Sequence, residues 1–285
     1  MSTATHDELC QHQWELEKLH AKNHLMPRLR AEFADHKGFD FKGALAAAGI
    51  PEEFGIDLLA QMALRKRADI TTLVGLLRYH FKAEDNPTQA CADMLARCVE
   101  ACVVQYEPKL HSVSNEYEFV VRIDISDATQ AELDCFQYPM PMVVPPKKLI
   151  RNDQSGYLTL EQSIILKGNH HDDDVYLEHV NRMNRIPLCI NVDVATTVNN
   201  TWKGLDKQKE DETVVEFARR KRAFEKYQRT CYTVFSTLLQ HGNKFYLTHR
   251  YDKRGRIYSQ GYHLNYQGNT WNKAVIEFAN KEIVQ

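Results

Sequence analysis

Residues 244–258 read Lys244-Phe245-Tyr246-Leu247-Thr248-His249-Arg250-Tyr251-Asp252-Lys253-Arg254-Gly255-Arg256-Ile257-Tyr258. The first five have the aromatic and β-branched content of a strand. Asp252-Lys253-Arg254-Gly255-Arg256 then has the marks of a strand end or tight turn, with a glycine that lets the backbone come close to something. Two arginines flank the glycine, and a carboxylate stands near enough to orient one guanidinium. Arginine suits bidentate phosphate recognition, and an adjacent acid fixes its fork. As a bare pattern, Asp-x-x-Gly-Arg occurs in many unrelated proteins, so its meaning rests on what surrounds it.

Upstream of this stretch the spacing predicts a long helix from about residue 213. At 100° per residue, Phe217, Phe224, Tyr227, Cys231, Val234, Phe235 and Leu238 fall within an arc of about 100°. Arg219, Arg222, Lys226 and Arg229 fall within about 80° on roughly the opposite side, a face suited to an anion. His241-Gly242-Asn243 ends the helix, since glycine is a good C-terminal stop.

Farther upstream, residues 1–116 read as a helical N-terminal domain. Leu9, Leu16, Leu19, Leu25 and Leu29 recur around Pro27, and Ile56, Leu59, Met62, Ile70, Leu73, Leu77 and Phe81 form a second run. Pro51 suits the first turn of a helix. A third helix after Asn86-Pro87 carries Cys91, Cys98 and Cys102 beside Met94 and Leu95, read as small core residues and not as a metal site. Character changes near residue 117. Tyr117 to Ile125 alternates like a strand, Pro139 to Pro146 is extended, and Gln154 to Leu160 reads as a turn entering a strand. The expected class is therefore mainly α with some β (α+β), divided into 1–116 and 117–285.

Composition narrows the classes. The 285 residues are 43% hydrophobic and 26% charged, with 12 Gly and 9 Pro, enough apolar content for a sizeable core. No run of eighteen apolar residues and no basic, apolar leader occurs, which argues against a membrane span or a secretory signal. Seven cysteines without a CxxC suggest reduced thiols. Net charge is −2, but its distribution is uneven. Residues 1–120 hold 13 Lys/Arg against 18 Asp/Glu, residues 121–202 hold 7 against 11, and residues 203–256 hold 14 against 7. One basic block in an acidic chain is a plausible footprint for a phosphate backbone. A solvated charged helix has the same composition.

The surroundings of the Asp252 motif carry a more specific resemblance. Lys244-Phe245-Tyr246, Asp252-Lys253-Arg254-Gly255-Arg256-Ile257-Tyr258, Asn265-Tyr266-Gln267-Gly268-Asn269 and Lys273 resemble one stretch of the single-subunit phage and mitochondrial DNA-directed RNA polymerases. There an aromatic strand precedes Asp-x-Arg-Gly-Arg-Val-Tyr, and Gln-Gly-Asn follows. Pro139-Met140-Pro141-Met142-Val143-Val144-Pro145-Pro146 is similar to that family's Pro-Met-x-x-x-Pro-Pro segment. Ser155-Gly156-Tyr157 is similar to its Gly-Gly-Tyr turn. Val180 to Asn191 is similar to its Leu-Asn-x-x-Gln-x-Thr-x-Trp-x-Ile-Asn, with Leu188 at the Trp position. The resemblance spans about 120–285, and its start-of-palm portion of a right-hand polymerase is the fold it implies for that region.

By that resemblance Arg254 and Arg256 hold phosphates of the template or the RNA–DNA hybrid. Asp252 orients one of them, Gly255 permits close approach and Tyr258 packs beneath. Lys273 could reach a phosphate, and Arg219, Arg222, Lys226 and Arg229 add non-specific contacts. The family's two Mg²⁺-binding aspartates, and its nucleotide-binding Arg-x3-Lys helix, lie well downstream of this motif, whereas Asp252 is the last aspartate here. His171-Asp172-Asp173 and Arg222-Ala223-Phe224-Glu225-Lys226 with Tyr232 imitate those motifs but lie upstream of it. No catalytic or metal-binding residue is therefore expected on this chain. The implied protein is the small subunit of a split, heterodimeric polymerase, like those of schitovirus-type podoviruses that transcribe middle genes, in the cytoplasm of an infected bacterium. Met1 and an untagged start favour a natural subunit over a fragment. Mg²⁺ would be bound by a large catalytic partner, which the amphipathic Trp271 to Ala279 segment would meet. A docking of that segment on its own chain is equally compatible. Residues 1–120, with a balance of −5, are short for a promoter-binding domain, which suggests a recruiting protein. The alternative is a polymerase-derived nucleic-acid-binding regulatory module with no catalytic partner.

Overall fold

Apolar stripes at helical spacing, closed by side-chain caps, account for most of the secondary structure. The structure, a computed structural model, describes residues 5–35, 40–108, 117–120, 125–161, 163–166, 173, 175–202 and 204–281. The class is mainly α with some β. By contacts the chain forms two units, Met1–Ala21 with Asp134–Gln285, and Lys22–Leu133. This division falls elsewhere than the change of sequence character at 117, because α1 (His6–Ala21) joins the C-terminal unit and the strand at Tyr117 pairs within the other.

The unit Lys22–Leu133 holds α2 (Met26–Ala34), α3 (Phe41–Ala47), α4 (Glu52–Arg65), β1 (Arg67–Ala68), α5 (Ile70–Leu77), α6 (Pro87–Glu100), β2 (Gln105–Pro108), β3 (Tyr117–Val120) and most of α7 (Asp127–Cys135). Asp40, Asp69 and Asn86 cap α3, α5 and α6, accepting from the amides of Gly43, Thr72 and Gln89. Leu29, Phe33, Phe54, Leu58, Met62, Leu73, Leu77 and Leu95 fill the core. The antiparallel strand order is β1-β3-β2. Residues 121–124 of the expected strand lie outside the described residues. Cys91 and Cys98 are fully buried, so the thiols read as core residues are core. Cys102 departs from that reading: it follows the helix, is exposed, and has φ +58°.

The other unit adds α8 (Leu177–Asn184), β4 (Leu188–Ile190), α9 (Val192–Thr197), α10 (Val214–Gln240), β5 (His249–Tyr251), β6 (Ile257–Ser259), α11 (Thr270–Val275) and β7 (Ile276–Phe278). α10 buries Tyr227, Cys231, Val234, Phe235 and Leu238, while Phe217 and Phe224 of the same stripe are half-buried. The extended Met142 pairs with Tyr246, and Leu188 pairs with Phe245, placing the proline-bounded segment along that aromatic pair. These two bridges stand where a strand was expected at 244–248, and the regular strand begins at His249. No strand forms at 157–160, because the amides of Leu158 and Thr159 go to the Glu17 carboxylate instead of a ladder. The Trp271 to Ala279 segment is not one continuous element. α11 buries Trp271 and Val275 on its own chain, and β7 pairs antiparallel with β4.

Thr213 and Glu216 close the start of α10 as a reciprocal capping box, each side chain bonded to the other's amide. Thr213→Ala is expected to cost about 1 kcal/mol, read as a lowered urea midpoint by circular dichroism. An unshifted midpoint would show that the box contributes nothing to holding this turn.

Candidate nucleic-acid interface

The chain crosses from β5 to β6 through residues 252–256. The ladder pairs His249 with Ser259, Arg250 with Tyr258 and Tyr251 with Ile257. It is prolonged by Asp252 N–H donating to the Arg256 carbonyl at 3.0 Å and by Gln260 N–H donating to the Thr248 carbonyl. Gly255 N–H then donates to the Asp252 carbonyl. Gly255 has φ +77°, and a Cβ there would meet nothing within 4 Å. Glycine is thus required for the left-handed backbone and not for lack of room.

The Asp252 carboxylate is the centre of this turn. One oxygen accepts from the amides of Arg254 (2.9 Å) and Arg256 (3.0 Å). The other accepts from Arg256 Nε (2.7 Å) and the Tyr258 hydroxyl (3.2 Å), with Arg256 Nη2 at 2.6 Å. Desolvation pushes this carboxyl up, but the bonds from Arg256 and Tyr258 outweigh it and hold it below its ordinary value. The Asp252 hydrogen bond in turn raises the Arg256 pKa. The Arg256 guanidinium also lies 5.6 Å above the Tyr258 ring, which therefore sits beneath the loop. Both arginine side chains stay more than half exposed, Arg254 the more so, with its Nε 3.8 Å from Asp252. The loop thus presents one guanidinium, that of Arg256, fixed by Asp252, and a second, that of Arg254, near the same carboxylate without a hydrogen bond to it.

Asn265-Tyr266-Gln267-Gly268-Asn269 braces the hairpin from behind. The Gln267 side chain accepts from Ser259 N–H at 2.8 Å and donates to the Ile257 carbonyl, occupying the outer edge of β6. Asn265 accepts from the Ser259 hydroxyl and donates to the Gly261 carbonyl. Asn269 caps α11, accepting from the Asn272 amide. A Cβ on Gly268 would lie 2.9 Å from the Asn265 carbonyl, so the tight turn needs this glycine.

The other expected residues are on other elements. Arg219, Arg222 and Arg229 are exposed on α10, as expected. Lys226 is on the same helix but is tied to Asp134 at 2.6 Å, so its charge is largely neutralised locally. Lys273 is exposed in the last turn of α11. Residues 171 and 172 of the His-Asp-Asp run lie outside the described residues. Among the described residues no three His, Cys, Asp or Glu side chains come together in a way that could hold a metal ion. Among them too, no helix is long and apolar enough to cross a membrane.

Two features went unread in the sequence. Arg220 is turned from the cationic face and pins the preceding loop, bonding Glu212 and the carbonyls of Gly204 and Lys207. The i−8 spacing to Glu212, across a loop, has no helical periodicity to betray it. Behind β5, buried His249 donates from Nδ1 to Asn184 Oδ1 (2.8 Å) and accepts at Nε2 from the Tyr266 hydroxyl (2.6 Å). Burial lowers its pKa to about 4, and burial does the same to His263. Both folded pKa values lie below the unfolded 6.5, so the unfolded chain binds more protons between about 4 and 6.5. Stability from these two groups is whole above pH 6.5 and declines as pH falls through that window, on the order of 1 kcal/mol per pH unit for each. A urea midpoint constant from neutral pH down through this window would show that the imidazoles are not held neutral.

No protein-family model matches the chain, and no curated protein matches it.

Proposed function

We propose that this chain is the small subunit of a split, phage-type DNA-directed RNA polymerase, gripping the template strand or RNA–DNA hybrid while a larger partner carries out nucleotidyl transfer. The observation that carries this reading is the 252–256 loop: a carboxylate that fixes the exposed Arg256 guanidinium, with the exposed Arg254 beside it at 3.8 Å, on a glycine-dependent turn. Such an arrangement binds phosphate oxygens through charge-assisted hydrogen bonds at little ordering cost. The exposed Arg219, Arg222 and Arg229 add a sequence-independent attraction that weakens with salt.

The chain's own part in the reaction is positioning. Arg256 and Arg254 neutralise and fix the backbone, which keeps the template in register with the reacting ends. Asp252 is a positioning residue. Its oxygens are engaged by Arg256, Tyr258 and two amides and are not offered to a metal ion. In this reading Mg²⁺ is held by aspartates of the partner and supplies the phosphoryl-transfer chemistry there. Primed RNA extension with this chain alone, the candidate partner alone and both together tests the proposal. Extension is expected only from the pair, and extension by this chain alone would overturn it.

A further inference from the structure

Tyr138 and Tyr262 stack with ring centres 4.1 Å apart and planes 21° from parallel, yet both are more than a third exposed. Their footing is fixed. Tyr262 meets the buried Tyr227 of α10 edge-on at 5.4 Å, and the Tyr227 hydroxyl donates to the Tyr262 carbonyl. Buried His263 stands edge-on to both stacked rings, and its carbonyl accepts from the Cys231 thiol of α10. Tyr138 thus has one face on Tyr262 and, among the described residues, no ring on the other. The pair borders the cationic face of α10. Lys226, next to Tyr227 in the helix, is bonded to Asp134, four residues before Tyr138, and His263 feels the charges of both. Arg222 and Arg229 lie one turn to either side of Lys226, exposed and, among the described residues, without an ion pair. Asp134 is spent on Lys226, and Glu225 lines a cavity with Trp202 and Phe224 on the other flank of the helix.

An exposed ring face on a rigid support, beside uncommitted arginines, combines what a single strand of nucleic acid requires: stacking for its bases and charge for its phosphates. A duplex presents base edges in its grooves and keeps the base faces stacked on one another. We propose that Tyr138 takes an unpaired nucleobase by stacking on its outer face, while Arg222 and Arg229 hold phosphates of the same strand. The two arginines are about 10 Å apart along the helix axis, the length of about three nucleotides at roughly 3.4 Å each. Every base has a π-face, so the site is indifferent to sequence. Nucleic acid as the ligand rests on the proposed function; what is added is that the strand crosses this edge of the unit unpaired.

The test is fluorescence anisotropy on the full chain with three labelled probes: a single-stranded oligodeoxynucleotide, the same strand made abasic, and the corresponding duplex. Tyr138→Ala is expected to weaken binding of the base-bearing strand by about five-fold or more, and to leave the abasic strand and the duplex unchanged. Tyr138→Phe keeps the ring and should bind as the wild type does. Tyr138→Leu keeps an apolar cover over Tyr262 without a ring to stack, so it should behave as Tyr138→Ala does and separates stacking from packing. Joint replacement of Arg222 and Arg229 by Gln should weaken all three probes and lower the salt slope for the strand by about 1.4. Wild-type binding by Tyr138→Ala and Tyr138→Leu, or an equal loss on base-bearing and abasic strands, overturns the inference. So does loss of co-purification with the candidate partner while oligonucleotide binding stays at the wild-type level, which would make the ring a protein contact. If the pair of chains fails in primed extension while Tyr138→Ala behaves as expected, the polymerase reading falls and the stacking site stands. Extension by the pair, with single-strand binding unmoved by Tyr138→Ala, has the reverse meaning.

Discussion

Replacing Arg256 by alanine is expected, under the proposed function, to cut primed RNA extension by the pair of chains by roughly ten- to a hundredfold, while co-purification with the proposed partner is unchanged. Arg256 is the better fixed of the two loop cations, held by Asp252 through both Nε and Nη2. Losing it removes one or two charge-assisted hydrogen bonds to a phosphate. It also leaves the Asp252 carboxylate with only Arg254, at 3.8 Å, as counter-charge, facing the phosphate of the proposed complex. The second effect makes this a larger loss than neutralising an exposed lysine would be. Arg256→Lys keeps the charge but not the planar fork, and should fall between the two. Because the side chain is more than half exposed, the thermal midpoint should barely move. Wild-type extension by Arg256→Ala would remove the reason for assigning the loop a role.

Phe235→Ala should lower the stability of the unit that carries the loop by about 3–5 kcal/mol. Phe235 is 3% exposed, stacks on Trp271 with ring centres 5.6 Å apart, and meets Tyr232 edge-on. Truncation leaves a cavity between α10 and α11, the helix whose Asn269 cap continues into the segment bracing the hairpin. Nucleic-acid binding should therefore fail at a lower temperature than in the wild type, in step with loss of structure. A urea midpoint close to wild type would mean that the helix does not depend on this ring.

Phe235 itself was legible in the sequence, since it belongs to a stripe whose spacing alone places it inward. Its partner Trp271 was not, because periodicity names a buried face without naming what covers it. The same limit explains the tail. Residues 271–279 are apolar enough for one helix, yet pairing with Leu188 to Ile190 turns Ile276 to Phe278 into a strand. The Asp252 motif was readable because its parts are local: acid, glycine and arginines within five positions. The bond between buried His249 and Asn184 joins two segments far apart in sequence, and nothing in the spacing of those residues signals it. Lys226 shows the converse failure. It sits on the predicted cationic face, but Asp134, far off in sequence, neutralises it.

The first helix lies in a unit whose other members begin at Asp134. Gln13 accepts from the Val143 amide, and Glu17 accepts from the amides of Leu158 and Thr159. During synthesis at roughly 5–20 residues per second, these two side chains leave the ribosome several seconds before their partners exist. The interrupting unit, whose residues are contiguous, can mature in that interval. The arginine loop is then among the last parts to acquire its support, since both its hairpin and the Asn265 to Asn269 brace come from the final stretch of the chain to be synthesised.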